Sequence, residues 1–324
     1  MIIERNYIEE LTLLVKQHLL HADLIDNNEV VSLTTCHEFF TGKFSFCHFI
    51  IHCKNTDKKF FLKTAKPGDS LMFFDRYLKR FCIDGKYQYP VILVRPFTCR
   101  DKIFYITSYS AGNDLDEISD LLTPVDWKNI SDKLIYKLDE LSTVVADKYS
   151  TNCEFVHEGC AEILKRKFAK RLTHPLMVEI VKPFVNRIFQ QCCDILDKSE
   201  YSKPTLLHMD IKPANLIYNR NTGELTVIDF EFARFGDIDY GKIQLLLTGI
   251  NAFSDNYKKY VYPHITKTLP TFSEAQNSPK LTCYLLYQTM SNLIYYDDHK
   301  LPCPKEMAQM FYIILNKFSS EKNL

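Results

Sequence analysis

A polar loop that leads into a short hairpin is the feature of this sequence that most constrains its fold. The loop, His208-Met209-Asp210-Ile211-Lys212-Pro213-Ala214-Asn215, precedes two strand-like runs at Leu216–Tyr218 and Leu225–Ile228, which flank an Asn219–Gly223 turn. A hairpin brings the two ends of its strands together, so Asn215 and Asp229 are expected to lie close to one another. The fold therefore has to bring Asp229 close to the end of the polar loop, where Asn215 lies.

Three residues of this region have side chains suited to metal binding and proton transfer. The amide oxygen of Asn215 and the carboxylate of Asp229 are hard oxygen ligands of the kind that Mg²⁺ prefers. Asp210, earlier in the loop, supplies a carboxylate that can orient or deprotonate a hydroxyl group. Each residue alone is also typical of a turn or a helix cap, so it is their joint spacing that favours a functional site.

Composition and charge exclude several classes of protein. The 324 residues include 40 basic and 40 acidic side chains, and the resulting formal net charge of zero argues against a nucleic-acid partner, which needs a basic face. The 11 cysteines are an odd number without a CxxC pair, and the N-terminus lacks the apolar stretch of a signal peptide. No apolar run approaches the roughly 18 residues of a membrane span. We therefore expect a cytoplasmic protein with reduced thiols and no membrane association.

The order of the predicted elements divides the chain into two regions. The first contains two helices and five short strands, a mixture that favours a mainly antiparallel sheet with a helix packed against it. These helices are predicted at residues 7–20 and Leu71–Cys82, and the strands at Glu29–Leu33, Phe44–Cys53, Lys59–Lys63, Val91–Val94 and Lys102–Thr107. After Gly112 the pattern is mainly helical. We therefore predict an α+β protein with domains at residues 1–109 and 110–324.

The polar loop and the segment after the hairpin together resemble a known family. The HxDxxxxN pattern of residues 208–215 and the sequence Ile228-Asp229-Phe230-Glu231 are similar to the catalytic and metal-binding loops of the protein-kinase-like fold. The continuation through Gly236-Asp237 resembles the aminoglycoside phosphotransferase and choline kinase superfamily, whereas protein kinases carry DFG and a later APE. The resemblance implies a bilobal fold with a small antiparallel-sheet N-lobe and a larger, mainly helical C-lobe.

The same resemblance implies roles for the loop residues. Asp210 would be the catalytic aspartate, and Asn215 and Asp229 would be the ligands of Mg²⁺. His208 would brace the loop. Lys212 is a departure from the pattern of this superfamily. A lysine at this position is more typical of protein kinases, in which it contacts the γ-phosphate.

The N-lobe contains a candidate phosphate-binding lysine. Phe60-Phe61-Leu62-Lys63 resembles the third strand of the family, whose lysine holds the α- and β-phosphates of the nucleotide. The usual partner of this lysine is a helix glutamate, and the resemblance therefore predicts an ion pair with Asp75, the only acid in the helix predicted at Leu71–Cys82. Asp69 is the competing partner, although its position before the helix is more typical of a cap.

Two further segments resemble the nucleotide-binding parts of the family. Phe39–Ser45 would be the phosphate loop, with Gly42 as its one glycine and with backbone amides and the Ser45 hydroxyl reaching a phosphate. The linker at residues 106–112 would be the hinge that meets adenine. There Thr107 would be the gatekeeper, and the Ser108 carbonyl and the Ser110 amide would contact the base.

The region after the hairpin differs from the family at one position and carries several acids. Gly241 stands where many relatives have an aspartate, so we expect the bracing after Gly236-Asp237 to differ. The acids, which could meet a cationic amine but are expected to be surface charges, are Asp237, Asp239, Asp255, Asp297 and Asp298.

These observations favour a kinase that acts on small molecules. ATP or GTP would donate a phosphoryl group, with Mg²⁺, to a hydroxyl of an aminoglycoside or other antibiotic, a choline-like amino alcohol or a sugar. The alternatives are a protein Ser/Thr kinase, which Lys212 supports, and a nucleotide-binding pseudokinase, which the presence of all the catalytic residues opposes. No obligate protein partner is implied.

Overall fold

The structure, a computed structural model, describes two units of the chain. The described residues are 5–41, 44–65, 70–147, 160–181, 184–251 and 255–319. The first unit is Met1–Gly112 together with Thr226–Glu231, and the second is Asn113–Leu225 together with Phe232–Leu324. The segment that carries Asp229 thus belongs to the first unit, although it follows the boundary predicted at residue 109 by more than a hundred residues of chain.

The first unit is built on an antiparallel sheet of five strands, as predicted. The strands are β1 (Val31–Thr41), β2 (Phe44–Cys53), β3 (Lys58–Thr64), β6 (Ile92–Cys99) and β7 (Lys102–Ser108), in the order β1-β2-β3-β7-β6. Phe49 pairs with Leu62 across β2 and β3, and Lys63 pairs with Tyr105 across β3 and β7. The sheet therefore places Lys63 on a central strand, where a long side chain is shielded by neighbours on both sides.

Helix α1 (Arg5–His21) covers one face of this sheet. Its apolar residues recur at helical spacing, and Leu11, Val15 and Leu19 are completely buried. They belong to the same core cluster as sheet residues from four of the strands, namely Phe49, Ile51, Leu62, Val94, Phe97, Phe104 and Ile106. Burial of large side chains on this scale, at about 25 cal/mol per Å² of apolar surface, is what stabilises the unit.

Glu29 fastens the turn between β2 and β3 to the start of β1. The residue is 1% exposed, and its carboxylate accepts hydrogen bonds from Asn55 N (2.7 Å), Thr56 Oγ1 (2.8 Å) and Val30 N (3.2 Å). Burial alone raises the pKa of Glu29, but these hydrogen bonds together outweigh it and hold the pKa below its usual value. The carboxylate is thus stabilised in its charged form.

The second helix of this unit is shorter than predicted. Helix α2 spans Ser70–Leu78 and ends four residues before the predicted end at Cys82. Cys82 instead begins a small hairpin of β4 (Cys82–Ile83) and β5 (Lys86–Tyr87). The turn between them is Asp84-Gly85, with φ of 48° and 74°. Two successive residues with positive φ define the tight hairpin turn that Asp-Gly favours, and this turn competes with continuation of the helix.

The second unit is mainly helical. Its longer helices are α4 (Pro124–Ser142), α5 (Cys160–Leu172), α6 (Pro175–Val181), α7 (Val185–Lys198), α8 (Ile238–Asn251), α11 (Pro279–Asp298) and α12 (Lys305–Ser319), and its short ones are α3 (Leu115–Ile118), α9 (Tyr262–Ile265) and α10 (Phe272–Asn277). Helices α5, α6 and α7 are separate elements, and Pro175 starts the second of them. Helix α4 begins with a capping box in which Thr123 and Asp126 bond reciprocally.

Helix α11 forms the centre of this unit. Eleven of its residues, from Thr282 to Ile294, are buried, so it is enclosed on most sides by other elements. Polar side chains inside it bond back to its own backbone, as Thr289 does to Leu285 O at 2.7 Å. Within the described part of the chain, neither α11 nor any other helix has the length and apolar character that crossing a membrane requires.

Short strand pairs lie on either side of the polar loop. Strand β9 (Thr205–Leu207), which leads into the loop, pairs antiparallel with β12 (Arg234–Gly236). Strand β10 (Leu216–Asn219), which leaves it, lies between β8 (Asn113–Asp114) and β11 (Glu224–Val227). The hairpin predicted at 216–228 is confirmed, and Gly223 in its turn has a φ of 69° and leaves room for Asn129. The loop is thus held at both ends.

The charge of Glu29 should stabilise the first unit in a pH-dependent way. Because the pKa of Glu29 is lowered by folding, its contribution is present above the unfolded value of about 4.3 and is lost as pH falls through the folded value. We expect Glu29→Gln to be less stable than the wild type at neutral pH and the two proteins to converge in acid. Urea denaturation over a pH series measures this. Glu179→Gln, at an exposed site on α6, is the control, and a stability difference that does not change with pH would contradict the account.

Candidate active site

One side-chain amide fixes the carboxylate of Asp210. Asn215 is 5% exposed and ends a short 3₁₀ turn that begins at Pro213. Its Nδ2 donates hydrogen bonds to Asp210 O at 2.8 Å and to Asp210 Oδ2 at 2.9 Å. Both partners are acceptors, so the amide nitrogen has to face them, and Oδ1 is left for another partner. An amide oxygen in this orientation is suited to a hard cation such as Mg²⁺.

Two cationic or basic side chains complete the loop around Asp210. Lys212 Nζ lies 2.9 Å from Asp210 Oδ2, the same oxygen that Asn215 contacts. His208, 3% exposed, accepts the Asp210 backbone N–H at Nδ1 over 3.2 Å, which requires the ring proton to be on Nε2. Met209 between them has a φ of 68°, a conformation that turns the chain sharply. His208 thus contacts the loop as a brace would.

Two acids that sequence reasoning missed lie at the start of α3, and one of them, Asp116, is close enough to Lys212 to be affected by its charge. Asp114 caps helix α3 by accepting the Glu117 N–H at 2.9 Å, and Asp116 follows in its first turn. Partial burial raises the pKa of Asp116, the Asp114 carboxylate raises it further, and Lys212 opposes both. The one sequence signal was their position directly after the predicted hinge, which no chemical pattern distinguished from a helix cap.

In the first unit, Lys63 pairs with Asp229. The ammonium nitrogen lies 3.1 Å from Asp229 Oδ1, and the Lys63 side chain is only 10% exposed. The residue after Asp229, Phe230, is completely buried and packs edge-to-face on Tyr89 with ring centroids 5.7 Å apart. Asp229 itself has a φ of 63°, which aspartate tolerates better than most residues. The prediction that Asn215 and Asp229 lie close together stays a prediction, because the two belong to different units.

The predicted pairing of Lys63 with Asp75 is wrong. One oxygen of the Asp75 carboxylate contacts Lys79 Nζ at 2.7 Å. Lys79 lies one helical turn after Asp75, directly after the end of α2 at Leu78. The other oxygen of Asp75 accepts the backbone N–H of Ile92 at the start of β6. Asp75 therefore fastens α2 to the sheet, and the competing partner Asp69 lies outside the described residues. The sequence could not show that Lys63 would instead pair with Asp229, a residue remote in the chain.

The other predicted nucleotide-binding residues that the structure describes lie on or next to the five-stranded sheet. Thr107 is 3% exposed on β7, and its hydroxyl donates to Ser108 O at 3.2 Å. The backbone N–H of Ser108 is used by Val91 O at 3.0 Å, and Ser110 follows the end of the strand. In the predicted phosphate loop, Ser45 belongs to β2, where it pairs with Phe40, and Gly42 lies outside the described residues. The adenine and phosphate contacts of these residues stay predictions.

The position of Gly241 explains one departure from the family pattern. A Cβ atom added there would lie 2.9 Å from Leu207 Cδ2, closer than such atoms approach, so an aspartate would displace Leu207. Asp237, predicted to be a surface charge, is 1% exposed, and that prediction is wrong. Its carboxylate is paired with Lys280 at 2.9 Å, from a helix more than forty residues later in the chain. Bracing after Gly236-Asp237 thus comes from a lysine.

Comparisons with known proteins agree with this geometry. The family model described as the phosphotransferase enzyme family (APH) matches residues 48–246, which is more than half of the chain. The chain belongs to this family and is a phosphotransferase. No curated protein matches it with significance.

Solved structures share the fold across nearly the whole chain. A thermostable mutant of aminoglycoside phosphotransferase APH(4)-Ia, in a ternary complex with AMP-PNP and hygromycin B, matches with a TM-score of 0.62 and 14% identity, covering 96% of this chain and 99% of that one. The ternary complex of APH(2'')-IIa with streptomycin and ATP matches with a TM-score of 0.54 and 18% identity, covering 96% and 99%. Spectinomycin phosphotransferase APH(9)-Ia, with ADP and spectinomycin, matches at 0.53 and 12%, covering 96% and 97%. At these identities the matches establish the fold, which is protein-kinase-like as predicted.

The corrected role of Asp75 can be tested by a pair of variants. Asp75→Ala should lower the free energy of unfolding by about 1–3 kcal/mol, because the buried Ile92 N–H loses its acceptor. Asp75→Asn keeps an acceptor oxygen and should recover most of this loss. Neither change should alter the affinity for ATP, since Lys63 keeps its contact with Asp229. Denaturation and calorimetry with Mg·ATP measure the two effects; weaker ATP binding without any loss of stability would restore the original pairing.

Proposed function

We propose that this phosphotransferase transfers the γ-phosphoryl group of ATP, or of GTP, to a hydroxyl group of a small molecule, with Mg²⁺ as cofactor and Asp210 as base. The observation that carries the proposal is the pair of hydrogen bonds from Asn215, one to the Asp210 carboxylate and one to its backbone carbonyl, which leave the amide oxygen of Asn215 available. Membership of the phosphotransferase family supports the reaction class. The solved relatives were captured with ATP, ADP or AMP-PNP, which supports the nucleotide.

The nucleotide end of the reaction depends on charge neutralisation. Lys63, held by Asp229 and shielded from solvent, would contact the α- and β-phosphates. Asn215 Oδ1 and the Asp229 carboxylate are the oxygen ligands that would hold Mg²⁺, which when bound neutralises charge on the phosphates. Amide and carboxylate oxygens are the ligand types that suit a hard cation.

The acceptor end depends on the carboxylate of Asp210. In the proposed step the acceptor oxygen bonds to the γ-phosphorus, the bond from phosphorus to the leaving nucleoside diphosphate breaks, and the hydroxyl proton passes to Asp210. Asn215 and Lys212 both contact Oδ2, so Oδ1 is the oxygen better placed to receive the proton. His208 fixes the backbone of Asp210 by accepting its N–H. Positioning of this kind supplies much of the rate enhancement of phosphoryl transfer.

The acceptor is proposed from chemistry and from the relatives. The matched structures contain hygromycin B, streptomycin or spectinomycin, so an aminoglycoside or related antibiotic is the first class to test. A choline-like amino alcohol and a sugar are the other classes that a base beside an acidic helix start would suit. Asp116, near Lys212, and Asp114, which caps the same helix, would favour a cationic acceptor over an anionic one.

A protein Ser/Thr kinase is the second candidate, and one contact favours it. Lys212 lies 2.9 Å from Asp210, and protein kinases place a lysine at this position of the loop. The proposal for a small acceptor and this alternative differ in what receives the phosphoryl group.

A binding screen followed by product analysis tests the proposal. Thermal shifts would be recorded with ATP and GTP, with and without Mg²⁺, and then with aminoglycosides, other antibiotics, choline, ethanolamine and sugars. The acceptors that stabilise the Mg·nucleotide complex would be incubated with it and analysed by mass spectrometry. We expect one acceptor class to gain a phosphoryl group. Incorporation of label into protein substrates alone would instead establish the protein kinase.

Substitution of Asp210 should impair turnover, whereas substitution of Asp229 should impair nucleotide binding. Asp210→Asn keeps the shape of the side chain and an acceptor for Asn215 but removes the base, so turnover should fall by about 10²–10⁴-fold. Its affinity for Mg·ATP should change little. Asp132→Asn, an exposed aspartate of α4, is the matched control and should behave as the wild type. Near wild-type turnover in Asp210→Asn would refute its role as base.

Asp229→Asn should instead weaken the nucleotide complex. It removes one carboxylate charge beside Lys63, and an amide is a poorer ligand for Mg²⁺. Calorimetry of ATP with and without Mg²⁺ measures the enhancement that the cation gives. An enhancement equal to that of the wild type would mean that Asp229 is not a ligand.

A further inference from the structure

Lys280 on α11 binds three oxygen atoms from three places in the second unit. Its Nζ lies 2.8 Å from Asp239 Oδ2, 2.9 Å from Asp237 Oδ2 and 3.0 Å from the carbonyl oxygen of Glu200. An ammonium group has three donors, so each one has an acceptor. The side chain is 16% exposed, and the ring of Tyr201 lies 5.3 Å from Nζ. Lys280 is therefore held in one arrangement.

Asp237 is the most buried member of this group and is bound from every side. Its carboxylate accepts the Tyr284 hydroxyl at 2.8 Å and the backbone N–H of Asp239 at 3.1 Å, in addition to Lys280. Tyr284 is on α11, and Asp239 is in the first turn of α8. One carboxylate thus joins the start of α8 to the central helix of the unit, and a buried charge of this kind needs its cation.

The bound carboxylate is connected to the polar loop through a strand pair. Asp237 directly follows β12, in which Gly236 pairs with Thr205 and Arg234 pairs with Leu207 on β9. The residue after Leu207 is His208, the first of the loop. Gly241, one turn into α8, lies so close to Leu207 that a Cβ atom there would be 2.9 Å from Leu207 Cδ2 and would have to displace it. A displacement of Asp237 would therefore move β12, and through it the strand that carries the loop.

We propose that Lys280 is a positioning residue, which holds β12 and β9 in register and thereby places His208 and Asp210 for phosphoryl transfer. The proposal rests on the proposed function for its effect on catalysis, but not for its effect on the loop. Lys280 does not contact the reacting atoms and acts through Asp237. It supplies the bracing that Gly241, in place of the family's aspartate, cannot give.

The charge of Lys280 is retained over the physiological range. Burial alone lowers its pKa, but the hydrogen bonds and charges of Asp239 and Asp237 together raise it above the usual value. A raised pKa means that the ion pairs are complete at every pH below the unfolded value of about 10.4 and are lost only in strong alkali. The bracing is thus constant and does not depend on pH near neutrality.

Hydrogen exchange of the intact protein tests the proposal without reference to any substrate. Lys280→Met keeps the length of the side chain and removes the ammonium group. Lys242→Met is the matched control, because Lys242 is on α8 and forms a longer ion pair with Asp239, at 3.7 Å and with 39% of its side chain exposed. Exchange would be followed by mass spectrometry in peptides covering residues 205–215 and, in the first unit, residues 58–64.

The expected result is local. In Lys280→Met, exchange at 205–215 should accelerate by at least about tenfold, whereas exchange at 58–64 should match that of the wild type and of Lys242→Met. Unchanged exchange at 205–215 in a folded Lys280→Met protein overturns the proposal. Equal acceleration in both peptides also overturns it, because that pattern reports loss of overall stability.

A milder variant keeps the test valid if Lys280→Met does not fold. Tyr284→Phe removes one hydroxyl from Asp237 and leaves the ring in place. It should accelerate exchange at 205–215 in the same direction by a smaller factor, and no change there would refute the connection between Asp237 and the loop.

Catalysis gives the second readout. With Mg·ATP and the acceptor that the binding screen identifies, Lys280→Met should lower kcat by about ten- to a hundredfold and leave the Kd for Mg·ATP unchanged. If the wild type phosphorylates none of the acceptor classes, the proposed function fails, while the exchange result still decides the role of Lys280. Faster exchange at 205–215 with an unchanged kcat would refute the catalytic part of the proposal.

Discussion

The hydrogen bonds from Asn215 to Asp210 are the interaction on which the proposed chemistry depends. They constrain one carboxylate within a loop whose other members, His208 and Lys212, contact the same residue. The contacts are short and all lie within eight residues of chain, so the loop is largely organised by its own sequence. Strands β9 and β10 then fix its two ends.

Buried charges in this protein are consistently compensated. Lys63 is paired with Asp229, Glu29 is surrounded by donors, and Asp237 is paired with Lys280. Removing one partner of such a pair leaves an uncompensated charge in a poorly hydrated place, which costs more than the pair contributes. The first two arrangements belong to the first unit and the third to the second, so each unit carries its own charge network.

The parts that sequence predicted best are those determined by local pattern. The loop, the hairpin at 216–228, helix α1 and the five-stranded sheet follow from residue spacing and turn chemistry over short stretches. The hairpin at Asp84-Gly85 was also readable, since that dipeptide favours a tight turn, but the helical pattern before it was extended too far.

The errors concern contacts between residues that are remote in sequence. The sequence predicts Asp75 as the partner of Lys63 because it is the only acid in the predicted helix, whereas the structure pairs Lys63 with Asp229. Asp237 was expected at the surface because its partner, Lys280, carries no pattern that connects the two. Burial of a charge depends on the tertiary fold. Local patterns in a single sequence therefore do not reveal which distant cation will pair with a given carboxylate.

The side-chain amide signal of Asn215 tests the central claim most directly. In ¹⁵N–¹H spectra, its Nδ2 protons should exchange slowly with water, as should those of Asn129, whose amide donates to Tyr218 Oη and Gly223 O. Addition of Mn²⁺ with ATP should then broaden the Asn215 signal, because its oxygen would bind the paramagnetic cation. Fast exchange of these protons, or a sharp signal in the presence of Mn²⁺ and ATP, would contradict the account.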